Sequence, residues 1–340
     1  MSILIVRVSS LGDVIHNMPM VADILRHYPD AKIDWVVEEA YVDLVRMNDG
    51  VRTIIPFALR RWRKSLHRAA TRAEMRRFHQ DLRRDDYDVI FDTQGLLKTS
   101  LVMRMARIKS GGKRVGLANA TEGSGYEPIS RLFHTQSVPV GVHTHAVQRA
   151  RMVAAAAFGY AIDTPADFNL QLPANLQQAS RDWLPAEPYA VFFHATARAA
   201  KQWPQDNWRA IANTLAARDM PILLPWGSVA EKQTAQQLAA HMPNASVLPK
   251  LGMMDAVLLA QRATLAIGVD TGLTHIAAAF CRPTIELYCD SPRWKTEGNW
   301  SPTIINLGDT GQPPSVAEVR QAITTLLGSV EHVPNQTNRA

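Results

Sequence analysis

The sequence has little cysteine and no long hydrophobic run. Its 340 residues include two cysteines, Cys281 and Cys289, at a spacing that fits no metal site, which excludes a disulfide-stapled module and indicates a reducing compartment. No apolar run approaches the roughly 20 residues that cross a bilayer, and the first residues lack the charged start and apolar stretch of a signal peptide. We therefore expect a cytoplasmic protein without a transmembrane helix.

Acidic residues are scarce in one segment, and the net charge of +6 arises there. Residues 57–84 contain ten arginines and lysines against two acids, Glu74 and Asp81. Such a patch attracts nucleic acid, anionic lipid or an acidic substrate, although a solvated helix face has the same composition. The part that follows a predicted strand lies where open α/β sheets bind ligands, and it comprises Arg60, Arg61, Arg63 and Lys64.

Strand and helix signals alternate along most of the chain, which predicts parallel sheets covered by helices. Strands are expected at 3–8, 33–37, 53–57, 89–92, 189–194, 221–225, 246–248, 265–269 and 284–288, with a weaker one at 114–117. The main helices of the second half are expected at 205–218, 229–241, 253–262, 273–280 and 316–327. An early helix follows the Ser9–Asp13 loop, and Pro19 should kink it or mark its true first turn.

The length exceeds that of one hydrophobic core, so two domains are expected. The fold class that this predicts is α/β, with two Rossmann-like doubly wound domains facing a central cleft. Because the alternation lapses near residues 164–188, we place a first domain at 1–165 and a second at 166–314. Residues 315–340 form a C-terminal helix and polar tail that can pack back on the first domain.

The glycine fingerprint of dinucleotide-binding proteins is missing after the first strand. The loop there reads Ser9-Ser10-Leu11-Gly12-Asp13, with one glycine, so an NAD-dependent dehydrogenase is disfavoured. Asp13 instead places a carboxylate near a helix N-terminus, where it can act as a general base toward a hydroxyl. A helix N-cap is the alternative interpretation of Asp13.

Two loops of the second half have features of diphosphate-binding sites. In the loop after the 189–194 strand, Thr196 offers a hydroxyl and Lys201 an ammonium group. After the 265–269 strand, Asp270 is followed at once by a helix, so the backbone N–H groups of its first residues point toward a bound anion. Those residues are Thr271, Gly272 and Leu273. A basic loop and a capped tight turn are the alternatives without function.

A further loop can recognise a nucleoside. Trp226 and Gly227 end one strand, and Glu231 enters the next helix, where its carboxylate can accept hydrogen bonds from two ribose hydroxyls. The backbone near Leu251 can border an adenine. The pair Asp86 and Asp88 has the spacing of metal-binding acids, but we expect it in a loop before the 89–92 strand, away from the donor loops.

Taken together, these motifs resemble the heptosyltransferases of lipopolysaccharide inner-core assembly over nearly the whole chain. The segments that carry the resemblance are Ser9–His16, Arg60–Lys64, Asp92–Lys98, Leu224–Gly227 and Val269–His275. The resemblance implies a metal-independent, inverting GT-B glycosyltransferase without a cofactor. It would transfer L-glycero-D-manno-heptose from ADP-heptose to the Kdo residue of Kdo-lipid A, peripherally on the cytoplasmic leaflet of the inner membrane.

The resemblance also implies residue roles. Asp13 would be the base. The donor would be bound by Thr196, Lys201, Glu231, Leu251, Asp270, Thr271, Gly272, Leu273 and His275, with Asp270 at the heptose. The acidic acceptor would meet Arg60, Arg61, Arg63, Lys64 and Lys98.

Two segments depart from the family pattern. Ala197 replaces a second hydroxyl residue, and residues 119–128 lack an expected arginine. A later-acting heptosyltransferase with another core acceptor is therefore one alternative. A nucleic-acid-binding protein that uses the Arg60 to Arg84 patch is another, although no nucleic-acid module is recognisable, so we expect no nucleic acid partner.

Overall fold

The computed structural model describes residues 1–178, 180–196 and 198–328. It divides into two compact units. The N-terminal unit comprises Met1–Ser180, Gly252–Leu258 and Trp294–Trp300. The C-terminal unit comprises Arg181–Leu251, Leu259–Arg293 and the described residues from Ser301 onward.

The N-terminal unit contains a parallel six-stranded sheet in the order β3-β2-β1-β4-β5-β6. Its strands are β1 (Ser2–Val6), β2 (Lys32–Glu38), β3 (Val51–Phe57), β4 (Tyr87–Asp92), β5 (Ile108–Leu117) and β6 (Gln136–Val138). Its helices are α1 (Leu11–Asn17), α2 (Pro19–His27), α3 (Val42–Arg46), α4 (Leu59–Trp62), α5 (Ala69–Leu82), α6 (Leu97–Met105), α7 (Ala146–Phe158) and α8 (Ala174–Gln177). Pro19 begins α2, which confirms the predicted break in the first helix.

The C-terminal unit repeats this plan in the order β12-β11-β10-β7-β8-β9, with parallel pairing throughout. Its strands are β7 (Ala190–Phe193), β8 (Ile222–Leu224), β9 (Ala245–Val247), β10 (Leu265–Val269), β11 (Thr284–Tyr288) and β12 (Ile304–Gly308). Its helices are α9 (Gln205–Ala216), α10 (Val229–Ala239), α12 (Gly272–Ala279) and α13 (Val316–Leu327). Helix α11 (Met253–Arg262) lies between α10 and α12 in the sequence. Its residues up to Leu258 belong to the N-terminal unit, and those from Leu259 belong to the C-terminal unit. The predicted α/β class with two doubly wound sheets is confirmed.

The last described helix, α13, belongs to the C-terminal unit. It packs on α9, β11 and β12, and Val319, Ala322 and Ile323 lie in the apolar core of the C-terminal unit. The apolar face of this helix is thus buried against its own unit, and its packing on the first domain stays a prediction. The tail residues 329–340 lie outside the described residues.

The position of the acid pair Asp86 and Asp88 differs from the predicted one. Tyr87 and Asp88 already belong to β4 rather than to a loop. Asp88 accepts hydrogen bonds from the backbone of Ser2 and from Lys109, at 2.7 and 2.8 Å, and Asp86 pairs with Arg107 at 2.7 Å. Because each carboxylate pairs with a different cation, the two acids do not point toward a common metal position.

Candidate active site

Asp13 lies in the first turn of α1, just beyond the carboxyl end of β1. Its Oδ2 accepts hydrogen bonds from the backbone N–H and the hydroxyl of Ser10, at 3.0 and 2.9 Å. Ser10 is the N-cap and Asp13 the third helical residue, so the interpretation of Asp13 as the N-cap itself is wrong. Ser10 therefore holds Oδ2 of Asp13, and Oδ1 is available to residues from other elements.

Two buried arginines meet that second oxygen. Arg7 Nη2 lies 2.5 Å and Arg149 Nη2 lies 3.6 Å from Asp13 Oδ1. Burial raises the pKa of Asp13, but the two cations outweigh burial and lower it well below its usual range. Burial, with the neighbouring Arg7, lowers the pKa of Arg149 to about 10. Asp13 is thus a carboxylate at any physiological pH, in a cluster with one more positive than negative charge.

The arginines are themselves held by neighbouring loops. Arg7 donates to the carbonyl of Thr93 at 2.6 Å, in the loop after β4. Arg149, on α7, donates to the hydroxyl of Thr121 at 2.9 Å. Since Thr121 belongs to the segment 119–128, which departs from the family pattern, that segment supports the Asp13 cluster although it lacks the expected arginine.

Lys98 lies close to the same point of the sheet. The chain reverses its winding between β1 and β4, which is where open α/β sheets bind ligands. Buried Asp92, at the end of β4, accepts hydrogen bonds from the backbone N–H groups of Gln94 and Gly95, both at 3.0 Å. This turn leads into α6, and Lys98 stands in the first turn of that helix.

The predicted acceptor cations divide into two kinds. Arg60 pairs with Glu38 at 3.1 Å, and Arg61 pairs with Glu39 at 2.9 Å and with Glu74 at 2.8 Å. Two exposed cations follow α4 without an ion pair among the described residues, and they are Arg63 and Lys64. The last two therefore carry most of the uncompensated charge of this group.

In the C-terminal unit, Lys201 and Asp270 meet at the corresponding reversal point, between β7 and β10. Lys201 Nζ lies 2.5 Å from Asp270 Oδ2. Lys201 ends the short 3-10 helix Ala199–Lys201 after β7, and Asp270 directly follows β10. Lys201 is thus a cation anchored by the Asp270 carboxylate.

A buried chain of polar groups extends from Asp270 into the sheet. His275 on α12 lies 3.0 Å from Asp270 through Nε2 and 3.0 Å from Glu286 through Nδ1. Tyr288 donates to the other oxygen of Glu286 at 3.0 Å. Burial lowers the pKa of His275, but the two carboxylates outweigh it and raise the pKa to about 10. The imidazolium, with the Lys201 ammonium, holds the pKa of buried Asp270 far below its usual range.

The remaining donor candidates lie around the same edge of this sheet. Thr271 is the N-cap of α12, which begins at Gly272, so the first N–H groups of α12, including that of Leu273, lack partners within the helix. Glu231 caps α10: its Oε2 accepts the backbone N–H of Gly227 at 2.7 Å. Thr196 and Leu251 are half-buried in the loops after β7 and β9, and Ala197 lies outside the described residues.

Three charged residues of the site were not predicted from the sequence: Arg7, Arg149 and Glu286. Arg7 directly follows β1 within a buried stretch, and Glu286 lies within the buried strand β11. A charged residue in an apolar strand is rarely buried unless it is paired, and this signal would have found both. Arg149 sits in an alanine-rich helix and reaches Asp13 only because α7 packs on α1.

Within the part of the chain that the structure describes, no group of three or more His, Cys, Asp or Glu side chains is arranged to hold a metal ion. Over the same residues, no helix combines the length and the apolar composition needed to cross a bilayer.

Two Rossmann-like units, each with charged groups at the reversal point of its sheet, define an α/β protein that binds ligands at the carboxyl ends of its strands. The sequence profile of glycosyltransferase family 9 (heptosyltransferase) matches residues 75–323. The chain is 39% identical over 289 residues to lipopolysaccharide heptosyltransferase 1 of Pseudomonas aeruginosa, covering 85% of this chain and 78% of that one. It is 36% identical to lipopolysaccharide heptosyltransferase 1 of Escherichia coli K12, covering 85% and 88%.

The solved structures agree with this assignment. The E. coli heptosyltransferase WaaC with ADP superposes with a TM-score of 0.81 at 32% identity, covering 96% of this chain and 100% of that one. WaaC with ADP-2-deoxy-2-fluoro heptose gives a TM-score of 0.74 with 96% and 98% coverage, also at 32% identity. This chain belongs to glycosyltransferase family 9, the heptosyltransferases.

Proposed function

We propose that this heptosyltransferase moves L-glycero-D-manno-heptose from ADP-heptose to the Kdo residue of Kdo-lipid A, with inversion at the anomeric carbon. The donor is supported by the WaaC structures, one with ADP and one with a fluorinated ADP-heptose. The acceptor is supported by the first-heptosyltransferase relatives and by the excess positive charge around Asp13. The observation that carries the proposal is the Asp13 carboxylate, kept charged 2.5 Å from buried Arg7.

The C-terminal unit binds the donor in this proposal. Lys201, the hydroxyl of Thr196 and the N–H groups of Thr271 to Leu273 hold the diphosphate, whose charge grows as it leaves. Asp270 accepts hydrogen bonds from heptose hydroxyls, and His275 fixes its orientation. Glu231 binds the ribose through Oε1, since Oε2 caps its helix, and the backbone at Leu251 borders the adenine.

The N-terminal unit binds the acceptor. Arg63 and Lys64, with Arg60 and Arg61 beside them, attract its phosphates and carboxylate. Lys98 and the Arg7–Arg149 pair add positive charge where the acceptor sugar meets Asp13. Because that cluster has an excess positive charge, an anionic acceptor is favoured over a neutral one. The enzyme therefore works at the inner face of the inner membrane, where such a lipid is found.

The reaction is a single displacement. Asp13 takes the proton of the acceptor hydroxyl while its oxygen forms a bond to the anomeric carbon of the heptose, and the bond from that carbon to the diphosphate breaks on the opposite face. ADP leaves with the electron pair, stabilised by Lys201 and the N–H groups, with no metal required. Inversion follows because attack and departure occur on opposite faces.

The direct test is product analysis by mass spectrometry after incubation with ADP-heptose and Kdo-lipid A. We expect one heptose added per acceptor, an unchanged rate in EDTA, and an inverted linkage by NMR. Equal transfer to a neutral acceptor would contradict the proposed substrate, and inhibition by EDTA that added metal reverses would contradict the proposed mechanism.

Substitution of Asp13 tests the base. Asp13→Asn should lower turnover about 10²- to 10⁴-fold, because general-base catalysis contributes that much, while the dissociation constant of ADP-heptose stays the same. Calorimetry and single-turnover assays measure the two effects, and a melting curve checks the fold. The matched control is Asp43→Asn, an exposed carboxylate of α3 in the same unit. Turnover of Asp13→Asn equal to that of this control would remove Asp13 from the mechanism.

A further inference from the structure

One helix of the N-terminal unit presents an apolar stripe to solvent. Leu97, Leu101 and Met105 of α6 are exposed, with 45% of Leu101 accessible, while the opposite side of the helix is buried. Successive residues of an α-helix are about 100° apart, so these three side chains span an arc of about 80°. A single exposed leucine is ordinary, but three in register along one helix form a continuous surface.

The neighbouring 3-10 helix extends this surface. It runs over Pro128–Phe133, packs against α6, and exposes half of Ile129 and 80% of Leu132. The two elements are tied together because Glu127, just before the 3-10 helix, accepts the backbone N–H of Leu97 at 2.6 Å. We name these exposed apolar residues the α6 surface: Leu97, Leu101, Met105, Ile129 and Leu132.

Cations border the α6 surface and acids are absent from its two elements. By helical position, Arg104 and Lys98 flank the stripe on either side, and the exposed Arg131 lies on the 3-10 helix. At the C-terminal end of α6 a cavity of about 570 Å³ is lined by one carboxylate, Asp86, and by the cations Arg83, Arg104, Arg107, Lys109 and Arg114. Arg114 Nε is buried there without a hydrogen-bond partner among the described residues.

We propose that the α6 surface docks on an anionic lipid bilayer, with its apolar side chains in the interface and its cations on lipid headgroups. Exposed leucines beside lysine and arginine are the pattern of interfacial membrane helices. A second copy of this chain fits less well, because two such faces would oppose like charges. The inference rests on the proposed function in one respect: a lipid acceptor must be drawn from the bilayer that this surface contacts.

The test is co-sedimentation of the full chain with vesicles of phosphatidylcholine, with and without phosphatidylglycerol. We expect binding to the anionic vesicles that weakens with salt. The double variant Leu101→Gln/Leu132→Gln should lower partitioning at least about tenfold, because each buried leucine contributes to the bound state. Arg104→Gln/Arg131→Gln should lower it about fivefold per charge on anionic vesicles and leave it unchanged on neutral ones.

The matched control is Val229→Gln, an apolar residue of the C-terminal unit that is 72% exposed. It should bind vesicles as the wild type does. Wild-type binding by the α6 double variant would overturn the proposal. The proposal would also be overturned if sedimentation showed that the wild type is a dimer and the α6 double variant a monomer. The α6 surface would then be covered by a second copy of the chain.

Activity separates this inference from the proposed function. On a water-soluble acceptor that lacks acyl chains, the α6 double variant should transfer heptose at the wild-type rate, and it should be slower only on Kdo-lipid A in vesicles. If the proposed function fails, neither acceptor is modified although vesicle binding persists. If the docking inference fails, both proteins are equally active on both acceptors.

Discussion

The acid–base behaviour of Asp13 depends on the two arginines around it. Since Arg7 and Arg149 hold its pKa well below the usual range, protonation of Asp13 does not limit the wild-type enzyme at pH 5 to 8. Replacing Arg149 with Gln removes one of the two cations, so the pKa of Asp13 rises and its charged form is lost at a higher pH. We therefore expect the acid limb of the Arg149→Gln profile to begin at a higher pH than that of the wild type, although still at low pH because Arg7 remains 2.5 Å from Asp13.

The measurement is the pH profile of kcat/KM from neutrality down to the lowest pH at which both proteins remain folded. Arg46→Gln, which removes an exposed arginine of α3 in the same unit, is the control. It should keep the wild-type profile. An Arg149→Gln profile that coincides with that of the wild type after scaling to its maximum would mean that Arg149 does not act on the ionisation of Asp13.

His275 makes a pH-dependent contribution to stability. Its pKa is raised from 6.5 to about 10 in the folded protein, so the folded state holds its proton more tightly than the unfolded state. The resulting stability is fully present below pH 6.5 and is lost as the pH rises through about 10. His275→Gln leaves Glu286 buried without its cation, which should cost about 3–5 kcal/mol of unfolding free energy near pH 6.

Chemical denaturation between pH 6 and pH 10 measures the unfolding free energy of both proteins. The difference between wild type and His275→Gln should be largest at pH 6 and should shrink toward pH 10. His143→Gln removes an exposed histidine paired with Glu122 and should change stability little at any pH. A difference between wild type and His275→Gln that stays constant with pH would show that His275 is neutral in the folded protein.

How far the sequence predicts single residues depends on where their partners lie. The capping pair Ser10 and Asp13 is local, so their place at a helix start could be anticipated from five consecutive residues. The partners of Asp13 could not, because Arg149 lies far along the chain and reaches it through helix packing. Likewise, the sequence indicated Lys201 and Asp270 separately, but not that they form an ion pair.

Elements with strong apolar runs were predicted most closely. The strands at Leu265–Val269 and Thr284–Tyr288 agree with the structure at both ends. The strands β6 and β12 were missed. Both are outer strands of their sheets. Gln136–Val138 is three residues long with two polar ones, and Ile304–Gly308 is only partly buried, so neither has the pattern of a core strand.

The position of α12 depends on a close contact with β10. A Cβ on Gly268 would lie 2.1 Å from Thr274 Oγ1 and 2.8 Å from Phe193 Cβ. Because Thr274 also donates to the carbonyl of Val269, Gly268→Ala should push the start of α12 away from the strand. We expect a loss of about 1–3 kcal/mol in stability, as for overpacked cores, together with weaker ADP binding.

Thermal melts and calorimetry with ADP test this element. The matched control is Gly125→Ala, whose new Cβ would make only an ordinary contact at 3.7 Å with Leu96 in the N-terminal unit. It should retain the melting temperature and the ADP affinity. A destabilised Gly268→Ala protein that binds ADP normally would mean that α12 does not hold the diphosphate.

Across the whole molecule, the positive charge is concentrated in the N-terminal unit. With ten basic and two acidic residues, segment 57–84 has a net charge of +8 against +6 for the whole chain, so the rest of the chain is slightly acidic. Ion pairs with Glu38, Glu39 and Glu74 reduce the charge of Arg60 and Arg61. This compensation favours recognition of a small acidic acceptor by a few free cations over the broad phosphate contacts that nucleic acids require.

If each substrate is bound by one unit, substitutions in the two units should have separable effects. Arg63→Gln/Lys64→Gln should raise the KM for Kdo-lipid A and leave the dissociation constant of ADP-heptose unchanged. Lys201→Ala should weaken the binding of ADP-heptose about tenfold, which is the lower end of the effect of losing a charge-assisted hydrogen bond. The lower end is expected because Lys201 must give up part of its interaction with Asp270 to bind the diphosphate. Calorimetry and steady-state kinetics on both proteins distinguish the two effects, with Arg320→Ala, an exposed cation of α13, as the control. Weaker ADP-heptose binding by Arg63→Gln/Lys64→Gln, or an unchanged affinity in Lys201→Ala, would contradict this division of labour.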